Sequence, residues 1–141
     1  MRGIYSQILV CCDGSKYSDK AIQTACDLAK TYQAELTLIH VIDKTRKSDI
    51  LAGSEYTEIL RKYAKEVMEK AQKITIQERI KPKIITKEGN VANEIVKYSK
   101  ESKTDLIVIG SKGLGAVVKF LLGSISSKIA NHSLCSVLIV K

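Results

Sequence analysis

Val108-Ile109-Gly110-Ser111-Lys112-Gly113-Leu114-Gly115, continued through Ala116-Val117-Val118-Lys119-Phe120-Leu121-Leu122 to Gly123-Ser124-Ile125-Ser126-Ser127, carries an apolar run into glycines. It then reaches a second glycine that opens a hydroxyl-rich helix start. Glycine lets a backbone approach a ligand closely or take positive φ, and a helix start offers unpaired N–H groups at the positive end of its dipole. Two glycine sites converging on one strand end describe an anion site, and the layout suits a phosphate. Two familiar phosphate loops are excluded. Gly110 and Gly115 have the spacing of the Walker pattern, yet Ala116-Val117 stand where Lys and Ser/Thr are required. The order Gly110-x-x-Gly113-x-Gly115 breaks the G-x-G-x-x-G dinucleotide fingerprint and lies late in the chain.

Outward from this stretch, strands and helices alternate. Asp105-Leu106-Ile107-Val108-Ile109 is the strand that feeds the glycines, and a helix from Ser124 to about Asn131 leads to a last strand, Ser136-Val137-Leu138-Ile139-Val140. At the other end, Ser6-Gln7-Ile8-Leu9-Val10-Cys11-Cys12 is a nearly continuous apolar run, as expected of a strand covered on both faces. It stops at Asp13-Gly14-Ser15, and a helix follows with Ser18 as expected N-cap and Ala21, Ile22, Ala25, Leu28, Ala29 and Tyr32 on one face. Glu35 to Ile42 is a second strand, and the charged stretch Asp43 to Asp49 reads as a loop. From about Ser54, Tyr56, Ile59, Leu60, Tyr63, Ala64, Val67, Ala71 and Ile74 repeat at helical spacing. Pro82 breaks the pattern, Lys83-Ile84-Ile85-Thr86 is a brief third strand, and Gly89-Asn90 is a turn and cap before a helix with Val91, Ala92, Ile95, Val96 and Ser99 on its core face.

This alternation predicts an α/β fold: a doubly wound, open, parallel five-stranded sheet with helices on both faces. Ligands of such sheets bind beyond the carboxyl ends of the strands, at a topological switch point. Strand order 3-2-1-4-5 would bring together Asp13 and Gly14, Val41 and Gly110, so one crevice would hold the candidate residues.

Bulk properties limit the alternatives. With 141 residues the chain is read as one domain, 1–141, able to bury roughly two thirds of its unfolded surface. A net charge of +8 favours anionic ligands, but the lysines are scattered rather than blocked, so no specific nucleic-acid partner is expected. No apolar N-terminal region resembles a signal peptide and no run approaches the roughly 18 apolar residues of a membrane span, so a cytoplasmic protein without membrane partners is expected. Cys11, Cys12, Cys26 and Cys135 fit no zinc or C-x-x-C spacing and read as reduced, buried small hydrophobes. His40 and His132 lack partners at metal spacing and read as structural. No G-x-S-x-G elbow accompanies Asp13, Ser15 and His40, so they are not read as a hydrolytic set.

From Ile8 to Val140 the sequence resembles the universal stress protein family, ATP-binding branch. The motifs are Ile8-Leu9-Val10 with Asp13-Gly14-Ser15, Gly110-x2-Gly113-x9-Gly123-Ser124, Leu121-Leu122-Gly123-Ser124-Ile125-Ser126, and the ending Cys135-Ser136-Val137-Leu138-Ile139-Val140. The resemblance implies a Rossmann-like fold and a site for ATP with Mg²⁺ or Mn²⁺. Asp13 would lie near the ribose or the metal-bound phosphates, the Val41 backbone at the adenine, Gly110 and Gly113 along ribose and phosphate, and Gly123 and Ser124 on the phosphates. Around them the expected lining comprises Cys11, Cys12, Gly14, Ser15, Ile109, Ser111, Lys112, Leu114 and Ile125. Where the family often carries proline before the aspartate this chain has Cys11-Cys12, and where it often has proline after the late cysteine this chain has Ser136. The resemblance also implies a homodimer through Ser136 to Val140, consistent with a short apolar edge strand. The leading expectation is a nucleotide-dependent binding and regulatory module of the stress response. The alternatives are a slow ATP hydrolase and a dimeric scaffold that binds no nucleotide.

Overall fold

Parallel pairing around one central strand organises the molecule. The computed structural model describes residues 3–45, 53–113 and 122–141. Its strands are β1 (Gln7–Cys11), β2 (Glu35–Asp43), β3 (Lys83–Gly89), β4 (Leu106–Gly110) and β5 (Ser136–Val140). Its helices are α1 (Lys16–Tyr32), α2 (Gly53–Gln77), α3 (Val91–Glu101) and α4 (Ser124–His132). The strands form one parallel sheet in the order β3-β2-β1-β4-β5, the order expected from the alternation. Val10 lies opposite Leu38 on one side and Val108 on the other, so β1 is paired along both edges.

Side chains alternate across a strand, and here both faces are dry. Ile8, Val10, Cys12, Leu38 and Val108 pack with Ala21, Ile22, Ala25 and Cys26 of α1 and Val67, Met68 and Ala71 of α2. Leu9, Cys11, Ile39, Ile107 and Ile109 pack with Ala92, Ile95 and Tyr98 of α3 and Ile129 of α4. Cys11 and Cys12 therefore serve opposite layers. Three of the four cysteines are buried as expected, but Cys135 is only half-buried because it lies just before the edge strand; all four are free. At the amino ends of the strands, the Asp105 carboxylate accepts from Ser6 Oγ at 2.9 Å and from the Gln7 amide at 3.2 Å, pinning the entry to β1 beside β4.

Four boundaries differ from the sequence reading. The N-cap of α1 is Ser15: its Oγ accepts from the Ser18 amide at 3.1 Å, while Ser18 is buried inside the helix and its Oγ accepts from the Asp13 amide at 3.1 Å. Gly14, at φ 85°, makes the turn that places Ser15 in extended backbone. β2 runs on to Asp43, and β3 continues to Gly89, because the ladder from Val41 opposite Lys87 to Asp43 opposite Gly89 persists where the β3 sequence has turned polar. β4 begins at Leu106 and includes Gly110, since Asp105 is occupied with Ser6 and Gln7. Asn90 caps α3 as expected, its side chain accepting from the Asn93 amide at 3.0 Å.

Candidate functional site

The site is built where strand lengths become unequal. β1 stops at Cys11, whereas β2 continues to Asp43 beside β3 and β4 continues to Gly110 beside β5. The Cys12 amide still donates to the Ile39 carbonyl at 2.8 Å. Successive residues of a parallel strand address alternate neighbours, so Val41, two residues past Ile39, turns its amide and carbonyl towards the side β1 has left. Its side chain is buried in the α3/α4 layer. The notch between β2 and β4 is the topological switch point, and Asp13 leads β1 out of it.

Asp13 is held in place from three directions. Its Oδ1 accepts from the Ser15 amide at 2.8 Å, its own amide is bound by Ser18, and its carbonyl accepts from the Tyr63 hydroxyl at 2.7 Å. Its Oδ2 faces Gly113 across the notch: a Cβ on Gly113 would lie 3.0 Å from that oxygen. The two chain segments expected to share a ligand thus meet directly.

The glycines act by lacking side chains rather than by positive φ, which among the described glycines occurs at Gly14, Gly53 and Gly89. At Gly110 a Cβ would stand 2.8 Å from the Tyr17 backbone carbonyl carbon, so this glycine admits the first turn of α1 rather than a ligand. It contributes its backbone to the notch. Gly123 is the N-cap of α4, and its amide donates to the Ser111 carbonyl at 2.7 Å. Ser126 Oγ donates to the same carbonyl at 3.1 Å, and the Ser111 amide donates to Val140 at 2.8 Å. These bonds bring the start of α4 to the end of β4.

That helix start differs from the other three. α1 and α3 are closed by the Ser15 and Asn90 side chains, and α1, α2 and α3 carry Asp19, Glu55 and Glu94 in their first turns. α4 has no side-chain cap and no acid in its first turn. Among the described residues no side chain caps its N–H groups or offsets its positive dipole end, and Ser124 and Ile125 are exposed beside them. Lys112 is half-buried on the opposing segment. Leu114 lies outside the described residues.

The opposite wall includes residues the sequence reading did not assign. Tyr63 reads as part of the apolar stripe of α2, yet it is 37% exposed and lies over Gly14, where a Cβ would come within 2.8 Å of its hydroxyl. Burial, with the Asp13 charge adding to it, raises the Tyr63 phenol above its ordinary pKa and keeps the hydroxyl a donor. Lys70, two turns along the same helix face, binds Asp19 at 2.9 Å and the Gly14 carbonyl at 3.3 Å. His40 is buried and structural as expected: Nδ1 donates to the Cys12 carbonyl at 2.7 Å and the ring meets Tyr63 edge-on. Burial also raises the Cys11 and Cys12 thiols, so both stand as neutral packing groups behind Asp13. His132 ends α4 on the exposed surface.

Among the described residues no group of three His, Cys, Asp or Glu could hold a metal ion, so a divalent ion would need ligand oxygens in addition to Asp13 Oδ2. No described helix is long and apolar enough to cross a membrane.

A doubly wound parallel sheet with an anion-ready helix start at its switch point defines a Rossmann-like α/β protein. A family model, "Universal stress protein family", matches residues 4–141. The chain belongs to that family. It is 34% identical to universal stress protein YxiE of Bacillus subtilis, across 98% of this chain and 100% of that protein. In structure it resembles universal stress protein UspA from Lactobacillus plantarum, with a TM-score of 0.86, 27% identity and coverage of 100% and 99% of the two chains. A universal stress protein solved in complex with cAMP superposes with a TM-score of 0.76 at 25% identity, covering 99% of each chain.

Proposed function

We propose that the chain binds an adenine nucleotide, ATP with Mg²⁺ or Mn²⁺, in the notch beyond β1, and acts in the stress response as a nucleotide-dependent binding module of the cytoplasm. The observation that carries this reading is the uncapped, acid-free start of α4 beside Ser111, near Gly113, whose missing Cβ would lie 3.0 Å from Asp13 Oδ2. Phosphate oxygens would accept from the first-turn amides of α4, including Ser124 and Ile125, where a helix end offers donors and a favourable dipole. Gly113 leaves space for ribose or phosphate beside Asp13, and Val41 offers the adenine one backbone donor and one acceptor. A bound divalent ion would neutralise phosphate charge, and Asp13 Oδ2 is the side-chain oxygen positioned to share in holding it. The cAMP complex of a relative supports an adenine-containing ligand.

The chain's groups favour holding the nucleotide over cleaving it. Asp13 Oδ1 is engaged by Ser15, its Oδ2 is the oxygen assigned to the divalent ion, and buried His40 gives Nδ1 to a carbonyl, so the reading assigns no base for an attacking water. The exposed edge of β5, with Ser136 and Leu138 outward, is the surface for a homodimer.

Denaturing the purified chain and identifying the released nucleotide by mass spectrometry tests the ligand, and titration calorimetry with Mg·ATP tests the pose. Gly113→Val is expected to weaken binding about tenfold or more, since 1.4 kcal/mol suffices and the new Cβ meets Asp13 Oδ2. Ser124→Asp should separate two effects: it raises stability by about 0.5 kcal/mol through the helix dipole and lowers ATP affinity through like charge. Unchanged affinity in both folded variants would remove the start of α4 and Gly113 from the site.

A further inference from the structure

The ion pairs among the described residues lie on the α1/α2 side, although Lys62, Lys65 and Lys73 of α2 take no part in them. On the α1/α2 side, Lys30 meets Glu78 at 2.5 Å, Lys70 meets Asp19 at 2.9 Å, and Arg61 meets Glu58 and Glu88 at 3.5 and 3.3 Å. On the other side, α3 and α4 border a groove of about 460 Å³ with Lys97 and Lys100 on one wall and Lys128 and His132 on the other. Ala92 and Val96 form an apolar floor, and among the described residues Glu101 is its only carboxylate. Glu94 is turned away, lying against Gly89. Among the described residues, Lys97, Lys100 and Lys128 make no ion pair or hydrogen bond, and all three are exposed.

We propose that this groove docks a short acidic segment of a partner protein. Residues three or four apart on a helix share a face, so Lys97 and Lys100 on α3 and Lys128 on α4 present cations along both walls, with His132 one turn beyond Lys128. Carboxylates of the segment pair with the lysines while an apolar side chain covers Ala92 and Val96. From Asn93 to Glu101 the groove runs roughly 12 Å at the helical rise, enough for three or four extended residues. A nucleic-acid strand fits less well, because the described lining offers no aromatic ring for a base to stack on, while its Ala92 and Val96 floor suits an apolar side chain. Binding here does not depend on the nucleotide reading: the groove uses the second half of α4, whereas the crevice uses its first turn.

The test is fluorescence anisotropy of the full chain with a short labelled peptide alternating glutamate and leucine. Saturable binding that weakens with salt is expected, and the triple variant Lys97→Glu, Lys100→Glu, Lys128→Glu should lose at least about tenfold in affinity. Circular dichroism melting confirms folding, and the triple glutamine variant, which keeps side-chain size, should also lose affinity and serves if the charge reversal perturbs the fold. The proposal is overturned by absence of saturable binding, by equal binding of a single-stranded oligonucleotide or a lysine–leucine peptide, or by unchanged affinity in a folded variant.

Discussion

Asp13 shows how several weak constraints fix one carboxylate. Ser15 holds Oδ1, Ser18 its amide and Tyr63 its carbonyl, which leaves Oδ2 directed at Gly113. The thiols behind it are inert for a different reason: Cys11 and Cys12 are 8% and 3% exposed, and burial disfavours their thiolates. Iodoacetamide at pH 8 should therefore modify Cys135 alone in the native chain and all four cysteines after denaturation, as read by mass spectrometry of peptides. Native modification of Cys11 or Cys12 would contradict the packing. At this scale the sequence was informative about residue type and less so about partners. Asp13 and Gly113 announced themselves by motif, but Tyr63 and Lys70 reach the site from a helix distant in sequence, and their spacing alone marks only a common helix face. Gly110 was legible as necessary, though its neighbour turned out to be Tyr17.

Elements were readable where hydrophobic periodicity set them and less so where the backbone ladder did. β1 and β4 are apolar runs because both faces are covered, whereas Lys87-Glu88-Gly89 joins β3 only through pairing with β2. The α1 cap illustrates local ambiguity: Ser15 and Ser18 are both suitable, and the positive φ of Gly14 selects the first. β5 belongs to the readable class, since its inward residues pack while Ser136 and Leu138 stay exposed, Leu138 at 36%. If the edge of this strand forms the dimer, Leu138→Lys should convert it to monomer in light scattering without lowering the helical signal. A dimer that survives this change would place the interface on another face.

The molecule as a whole has a stability that should fall in mild alkali. Burial, with the Glu78 charge adding to it, pushes the Cys26 thiol up to about 11 from an ordinary 9.0, and Cys11 and Cys12 move in the same direction. Below pH 9 both folded and unfolded thiols are protonated and nothing is lost. Between 9 and about 11 the unfolded thiol releases its proton while the folded one keeps it, so rising pH favours unfolding. Urea denaturation at pH 9.5 should show a loss of about 1 kcal/mol per thiol relative to pH 8. Cys26→Ala should recover one share of it, and a midpoint independent of pH would exclude the effect.

The central position of β1 also bears on how the chain reaches its fold. Its two neighbours arrive at very different times during synthesis: Glu35 follows Gln7 closely, whereas Leu106, opposite Ile8, emerges far later. A nascent chain can therefore zip one edge of β1 early and must leave the other open, an unpaired apolar edge exposed until β4 is made. The notch beyond β1 is completed later still, by α4 and by the Ser111 bond to Val140. Chains truncated before the last strand should thus hold the first wall of the pocket and lack the second.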